Sequence, residues 1–146
     1  MEKIAKNKKI IIYSIIFLFF ISKIISLNIN RIDNFISGTR YEILVEKYHQ
    51  LSSYQNFLDG KKEIQGIYFG SLECPHCVKT IRSINSILGK NEDIHYFKVD
   101  FNNHDNQVEL EKFKKQFNFE TIPHIVMFTK GEETQYSSRD IAEYSK

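Results

Sequence analysis

Residues 64–77 read Ile-Gln-Gly-Ile-Tyr-Phe-Gly-Ser-Leu-Glu-Cys-Pro-His-Cys. The apolar run Ile64–Phe69, closed by Gly70, predicts a short strand. Cys77, Ile81, Ile84 and Leu88 then recur at spacings of four, three and four, with Gly89 as a stop, and predict a helix. A bare Cys-x-x-Cys is a weak signal, but here it stands between a strand and the helix it opens. At that place the backbone N–H groups of the first helical turn have no partners within the helix, and the positive end of the helix dipole favours a thiolate on Cys74. Pro75 suits the first helical position, where no hydrogen bond is lost. Cys77 lies one turn further in, close enough to close a small disulfide ring, and His76 adds a neighbouring positive charge. Thiolate attack on a disulfide, or departure of Cys74 from one, is the chemistry this arrangement supports, with stabilisation of the thiolate favouring the reduced form.

Outward from this stretch, strands and helices alternate. Tyr41, Ile43 and Val45 predict a short strand or the lead into a helix, and Tyr48 to Leu58 a helix ended by Gly60. Ile94–Val99 is aromatic and β-branched and predicts a strand. Leu110, Phe113 and Phe117 form a helical face, and Ile125–Phe128 is a buried strand. Thr129-Lys130-Gly131-Glu132 predicts a hairpin turn, Thr134–Tyr136 a return strand, and Ser138 the cap of a last short helix. The order β-α-β-α-β-α-β-β-α implies an α/β fold, a central mixed β-sheet flanked by helices.

Thr121-Ile122-Pro123 stands just before the buried strand Ile125–Phe128. Together with the strand–Cys-Pro-His-Cys–helix unit, the Lys98-Val99-Asp100 strand end followed by Asn102-Asn103, and the Gly131 turn, it makes the chain from about Tyr41 onward resemble the thioredoxin-like superfamily. The resemblance implies a cis Pro123 facing the cysteine pair and an Ile122 backbone that hydrogen-bonds an extended substrate segment. It also implies thiol–disulfide exchange on protein or peptide substrates, with Cys74 attacking and Cys77 resolving, and a redox partner protein. The protein carries its own redox centre, so no organic cofactor is expected. The sequence departs from the family in three places. Tyr68 occupies the position of the acid often buried beneath the pair, Glu73 stands where Trp is common, and the stretch from Val99 to Thr121 is too short for the helical insertion of the exported disulfide oxidases that the Cys-Pro-His-Cys sequence resembles. In overall plan the chain is similar to small membrane-tethered thioredoxin-like proteins, including bacteriocin transport accessory proteins.

The first 27 residues concern location. Four lysines (Lys3, Lys6, Lys8, Lys9) precede Ile10–Ile21, which is apolar apart from Tyr13 and Ser14; Ser22 and Lys23 interrupt, and the apolar character resumes to Leu27. As a helix, Ile10–Leu27 spans about 27 Å at ~1.5 Å per residue, against a hydrocarbon core of about 30 Å. A retained anchor and a cleaved secretory signal both fit, the anchor better because no good cleavage site follows; a core helix does not, for the segment has no polar face. Either way the early lysines stay inside and the domain is expected on the extracytoplasmic side. Asn28–Arg40 reads as a polar linker, and residues 41–146 as the thioredoxin-like domain.

Composition excludes several classes. The chain has 146 residues, 42% hydrophobic and 26% charged, with a net charge of +2. Beyond residue 23, 15 basic residues face 17 acidic ones, so a nucleic-acid surface is not expected. Two cysteines cannot make a four-cysteine zinc site, and no metal is expected, although half of a shared zinc site or an inert structural disulfide would use the same residues. His124 reads as a partly exposed loop residue, with a place beside the active site as the alternative. Tyr68, Phe97, Phe113 and Phe117 read as core, Phe101 and Phe119 are open, and Lys112, Lys114 and Lys115 form a solvated face. The expected function is therefore an exported thiol–disulfide oxidoreductase, with oxidase or isomerase the favoured direction and reductase of exported disulfides an alternative. A non-catalytic accessory module for a secreted peptide or transporter is the alternative class.

Overall fold

The computed structural model describes residues 2–89, 93–129 and 131–144. The chain divides into two compact units, one up to Ile36 and one from Ser37 on. Helix α1, Glu2–Val45, begins in the first. It is long and apolar enough to cross a membrane by length and composition, and Tyr13, Phe17, Leu18, Phe19 and Phe20 all expose their side chains. The stretch read as a linker, 28–40, is helical. It contains no proline and a single glycine, so nothing breaks a helix already nucleated. The strand alternative at Tyr41–Val45 is likewise replaced by the end of α1.

In the second unit, β1 is only His49–Gln50, α2 is Tyr54–Gly60 and β2 is Gly66–Gly70. The helix expected from Tyr48 begins at Tyr54, where Ser53 accepts the Asn56 N–H at 3.1 Å as an N-cap. The apolar spacing of Tyr48 and Leu51 serves instead to bury two residues flanking a short edge strand. Helices α3 (Pro75–Lys79) and α4 (Ile81–Leu88) replace the single expected helix, and β3 (Ile94–Lys98) and α5 (His104–Phe117) follow. The break falls at Thr80, with φ −95° and ψ 12°. Its N–H and hydroxyl both bond the His76 carbonyl, at 3.1 and 2.7 Å, and the hydroxyl bond competes with regular helical continuation. The last elements are β4 (His124–Thr129), β5 (Glu132–Tyr136) and α6 (Ser138–Glu143). Ser137, not Ser138, caps α6, in a reciprocal capping box with Asp140. In the β4–β5 turn Gly131 takes φ +84°, a conformation that suits glycine; Lys130 lies outside the described residues.

The sheet order is β1-β3-β2-β4-β5. Strands β1, β3 and β2 are parallel, β4 is antiparallel to β2, and β5 is antiparallel to β4. This is the α/β architecture expected from the sequence, a central mixed sheet flanked by helices. Alternation along the strands builds two cores. Tyr68, Tyr96, Ile125 and Met127 pack with the end of α1, α3, α4 and α6. Ile67, Phe69, Phe97 and Val126 pack with α2 and α5, where Phe57, Phe113 and Phe117 complete an aromatic cluster.

Candidate functional site

The C-terminal end of β2 delivers the chain to Ser71 and then to the cysteines. Cys74 is the N-cap of α3, held by its N–H on the Ser71 carbonyl at 3.2 Å, and Pro75 occupies the first helical position. Cys74 is half-buried and Cys77 fully buried, and both are free thiols. Because Pro75 and His76 separate them by one helical turn, the Cys77 thiol faces the Cys74 sulfur. Burial pushes the Cys77 thiol up to about 12, and the neighbouring Cys74 sulfur adds to the shift; the Ser71 backbone and the Tyr68 hydroxyl oppose it. The asymmetry expected between an outer and an inner thiol is thus built by burial.

Across the site, the Ile122–Pro123 peptide is cis, as the family resemblance implied. Cys74 Sγ stands 3.9 Å from the Ile122 carbonyl oxygen, which brings the loop before β4 onto the cysteine pair. Ile122 is half-buried and Pro123 buried. His76 and Glu73 are exposed on either side. The Glu73 N–H donates to Ser71 Oγ at 3.3 Å, which fixes the approach to Cys74. The structure therefore brings together Cys74, Cys77, Pro75, Ile122 and Pro123, with His76 at the rim.

His124 differs from the expected exposed loop residue. It is buried on β4, stacked on Phe119 with ring centroids 4.2 Å apart, and its Nε2 lies 3.0 Å from Gln135 Oε1. Its place at the start of β4, paired with Phe69 of β2 and within reach of Gln135 on the edge strand, explains the burial. Desolvation holds its basicity below the usual histidine value, against the opposing effects of Gln135 and Asp140. A lowered folded-state value means that the unfolded chain takes the proton more readily. The histidine is neutral in both states well above about pH 6.5 and costs nothing there, and stability falls as pH drops below that value. Denaturant unfolding of the full chain in detergent micelles at pH 7 and pH 5 should show the decline, and His124→Gln should reduce it; an equal decline in the variant overturns the assignment.

Sequence reasoning missed the role of Tyr41 and Tyr96, which join Tyr68 beneath the pair. Tyr41 Oη is 2.9 Å from Tyr96 Oη, Tyr68 donates to Tyr41 Oη at 3.2 Å, and Tyr96 donates to the Gly70 carbonyl at 3.2 Å. Gly70 is required there, because a Cβ would collide with the Tyr68 ring and lie 2.7 Å from Tyr41 Oη. The glycine two residues after Tyr68 on the same face of β2 was the available signal. Among the described residues, no group of three or more His, Cys, Asp or Glu could hold a metal ion.

No family model matches the chain, and no curated protein matches it. Solved structures do. Thioredoxin O2 from Arabidopsis thaliana in the oxidized state is 20% identical, with a TM-score of 0.47, over 68% of this chain and 89% of that one. Mitochondrial thioredoxin 3 from Saccharomyces cerevisiae, in its oxidized form, is 15% identical, with a TM-score of 0.46, over 73% and 94%. A thioredoxin from Thermus thermophilus is 16% identical, with a TM-score of 0.38, over 68% and 82%.

Proposed function

We propose that this chain is a membrane-anchored thiol–disulfide oxidoreductase whose domain lies on the extracytoplasmic side and acts on protein or peptide thiols. The observation that carries the reading is the pairing of a half-buried Cys74 at a helix start with a buried Cys77 one turn behind it, opposite the Ile122 carbonyl. Cys74 thiolate attacks a substrate disulfide, or is itself released from one, and the mixed disulfide is resolved by Cys77. In this reading the backbone of Ile122 aligns an extended substrate segment next to the sulfur. A redox partner protein resets the pair, and no organic cofactor enters the cycle. Oxidase or isomerase is the favoured direction and reductase the rival. His76 and Glu73 tune that balance with opposite charges, and the position of His76 within the first turn gives it the larger effect. His76→Ala should therefore make the potential of the pair more negative, and Glu73→Gln should make it less negative.

The test is turnover of a reduced dithiol peptide, and of its disulfide form, by the full chain in detergent micelles beside its Cys74→Ala variant. Activity should vanish in the variant; a parent chain that shows no turnover, with Cys74→Ala making no difference, would leave only the accessory-module reading, similar to bacteriocin transport accessory proteins. The reduction potential then separates oxidants, near about −120 mV, from reductants, near about −270 mV. The exposed apolar side chains of α1 between Tyr13 and Ile25 support the anchor. A membrane-impermeant thiol reagent applied to intact cells should label Cys74; labelling only after lysis would put the domain on the other side.

A further inference from the structure

Among the described residues, no carboxylate is buried in the core with Cys77. Among the described residues, the buried polar or charged side chains outside the tyrosines and cysteines are Ser71, Ser83 and His124. What lies under the site is the three-tyrosine cluster, and Tyr68 is fully buried in the same core as Cys77. The hydroxyls form a directed series: Tyr68 to Tyr41, Tyr41 to Tyr96, Tyr96 to the Gly70 carbonyl. Each oxygen has an acceptor for its proton, so Tyr68, at the head, can turn its O–H from Tyr41 to the Cys77 sulfur without leaving any other donor unpaired. The stacked Tyr68 and Tyr96 rings, with centroids 5.4 Å apart, and the space left at Gly70 fix the hydroxyls in place.

We propose that Tyr68 is a positioning residue for the resolving step, a switchable hydrogen-bond donor that turns to the Cys77 sulfur as its thiolate forms. The proposal rests on the thiol–disulfide reading above. In the step, Cys77 loses its proton to the departing substrate sulfur, the Cys77 Sγ–Cys74 Sγ bond forms, and the bond from Cys74 Sγ to the substrate sulfur breaks. The substrate leaves as a thiol and the cysteine pair is left oxidised. Tyr68 takes no proton in it. Burial pushes its hydroxyl well above the usual tyrosine value and Tyr96 up to about 12, so both stay protonated and donate.

The experiment is stopped-flow reaction of the reduced full chain in detergent micelles with the disulfide of 5-thio-2-nitrobenzoate. The first equivalent of coloured thiolate reports attack by Cys74. The second reports attack by Cys77 on the mixed disulfide; this leaving sulfur departs as the thiolate, so here the Cys77 proton goes to solvent. Tyr68→Phe keeps the ring and should leave the first phase unchanged while slowing the second about ten- to hundred-fold, as loss of one hydrogen bond to a charged group does. Tyr41→Phe removes the competing acceptor and should leave the second phase at least as fast as in the parent chain. An unslowed second phase in Tyr68→Phe overturns the proposal, as does a slowed second phase in Tyr41→Phe, which would show that packing alone sets the rate. The Tyr41→Phe result keeps the test decisive if Tyr68→Phe does not fold. A parent chain that releases only one equivalent overturns the oxidoreductase reading, and the proposal with it.

Discussion

Replacing Cys77 by serine is expected to leave the chain trapped in mixed disulfides through Cys74, with turnover lost, whereas replacing Cys74 by serine should leave no trapped species. The difference follows from burial. Cys74 is half-buried at the start of α3 and meets the Ile122 carbonyl, while Cys77 is fully buried behind it. Burial holds the Cys77 thiol at about 12, so at neutral pH it is protonated and inaccessible until a mixed disulfide brings the reacting sulfur to it. Non-reducing gels of cells expressing each variant would resolve the species. Equal trapping by both would mean that attack and resolution are not divided between the cysteines. Alkylation of the native reduced chain should by the same logic modify Cys74 first and reach Cys77 only after denaturation.

The largest stability loss is expected from Phe113→Ala. Phe113 is fully buried and its ring meets those of Tyr54, Phe57, Phe69 and Phe97 at centroid distances between 5.0 and 5.7 Å. It thereby joins α5 to α2, β2 and β3. Truncation removes apolar burial and leaves a cavity that rings fixed from several sides cannot close, so a loss of about 3–5 kcal/mol is expected. Denaturant unfolding in micelles measures it, with Phe113→Leu expected to lose less. A loss below about 1 kcal/mol would show that α5 is not anchored through this ring.

The parts of this fold that were legible in the sequence are those where local chemistry and tertiary context agree. Gly66–Gly70 is a central strand buried throughout, and its run of apolar residues reads as one. The cysteines announce a helix start because Pro75 can stand nowhere better. Thr121-Ile122-Pro123 was legible only by resemblance, as nothing in the local pattern demands a cis bond. The rest depended on partners distant in sequence. β1 is two polar residues made a strand by pairing with His95 and Tyr96, and no pattern two residues long can signal that. The break at Thr80 sits inside a flawless helical periodicity. The hydroxyl cluster joins Tyr41 to Tyr96 across 55 positions, and His124 is buried by a stacking partner and an edge strand that periodicity does not reveal.

The two borders of the sheet bear on how copies of this chain behave beside one another. One border is β1, too short to template a neighbour. The other is β5, whose leading residues Glu132 and Glu133 are exposed. A strand arriving from a second copy in the same alignment would set carboxylates beside carboxylates, and unpaired backbone at a border is where unwanted strand addition begins. The brevity of one border and the charge of the other therefore guard against end-on polymerisation, and the guard counts most where many copies are crowded together.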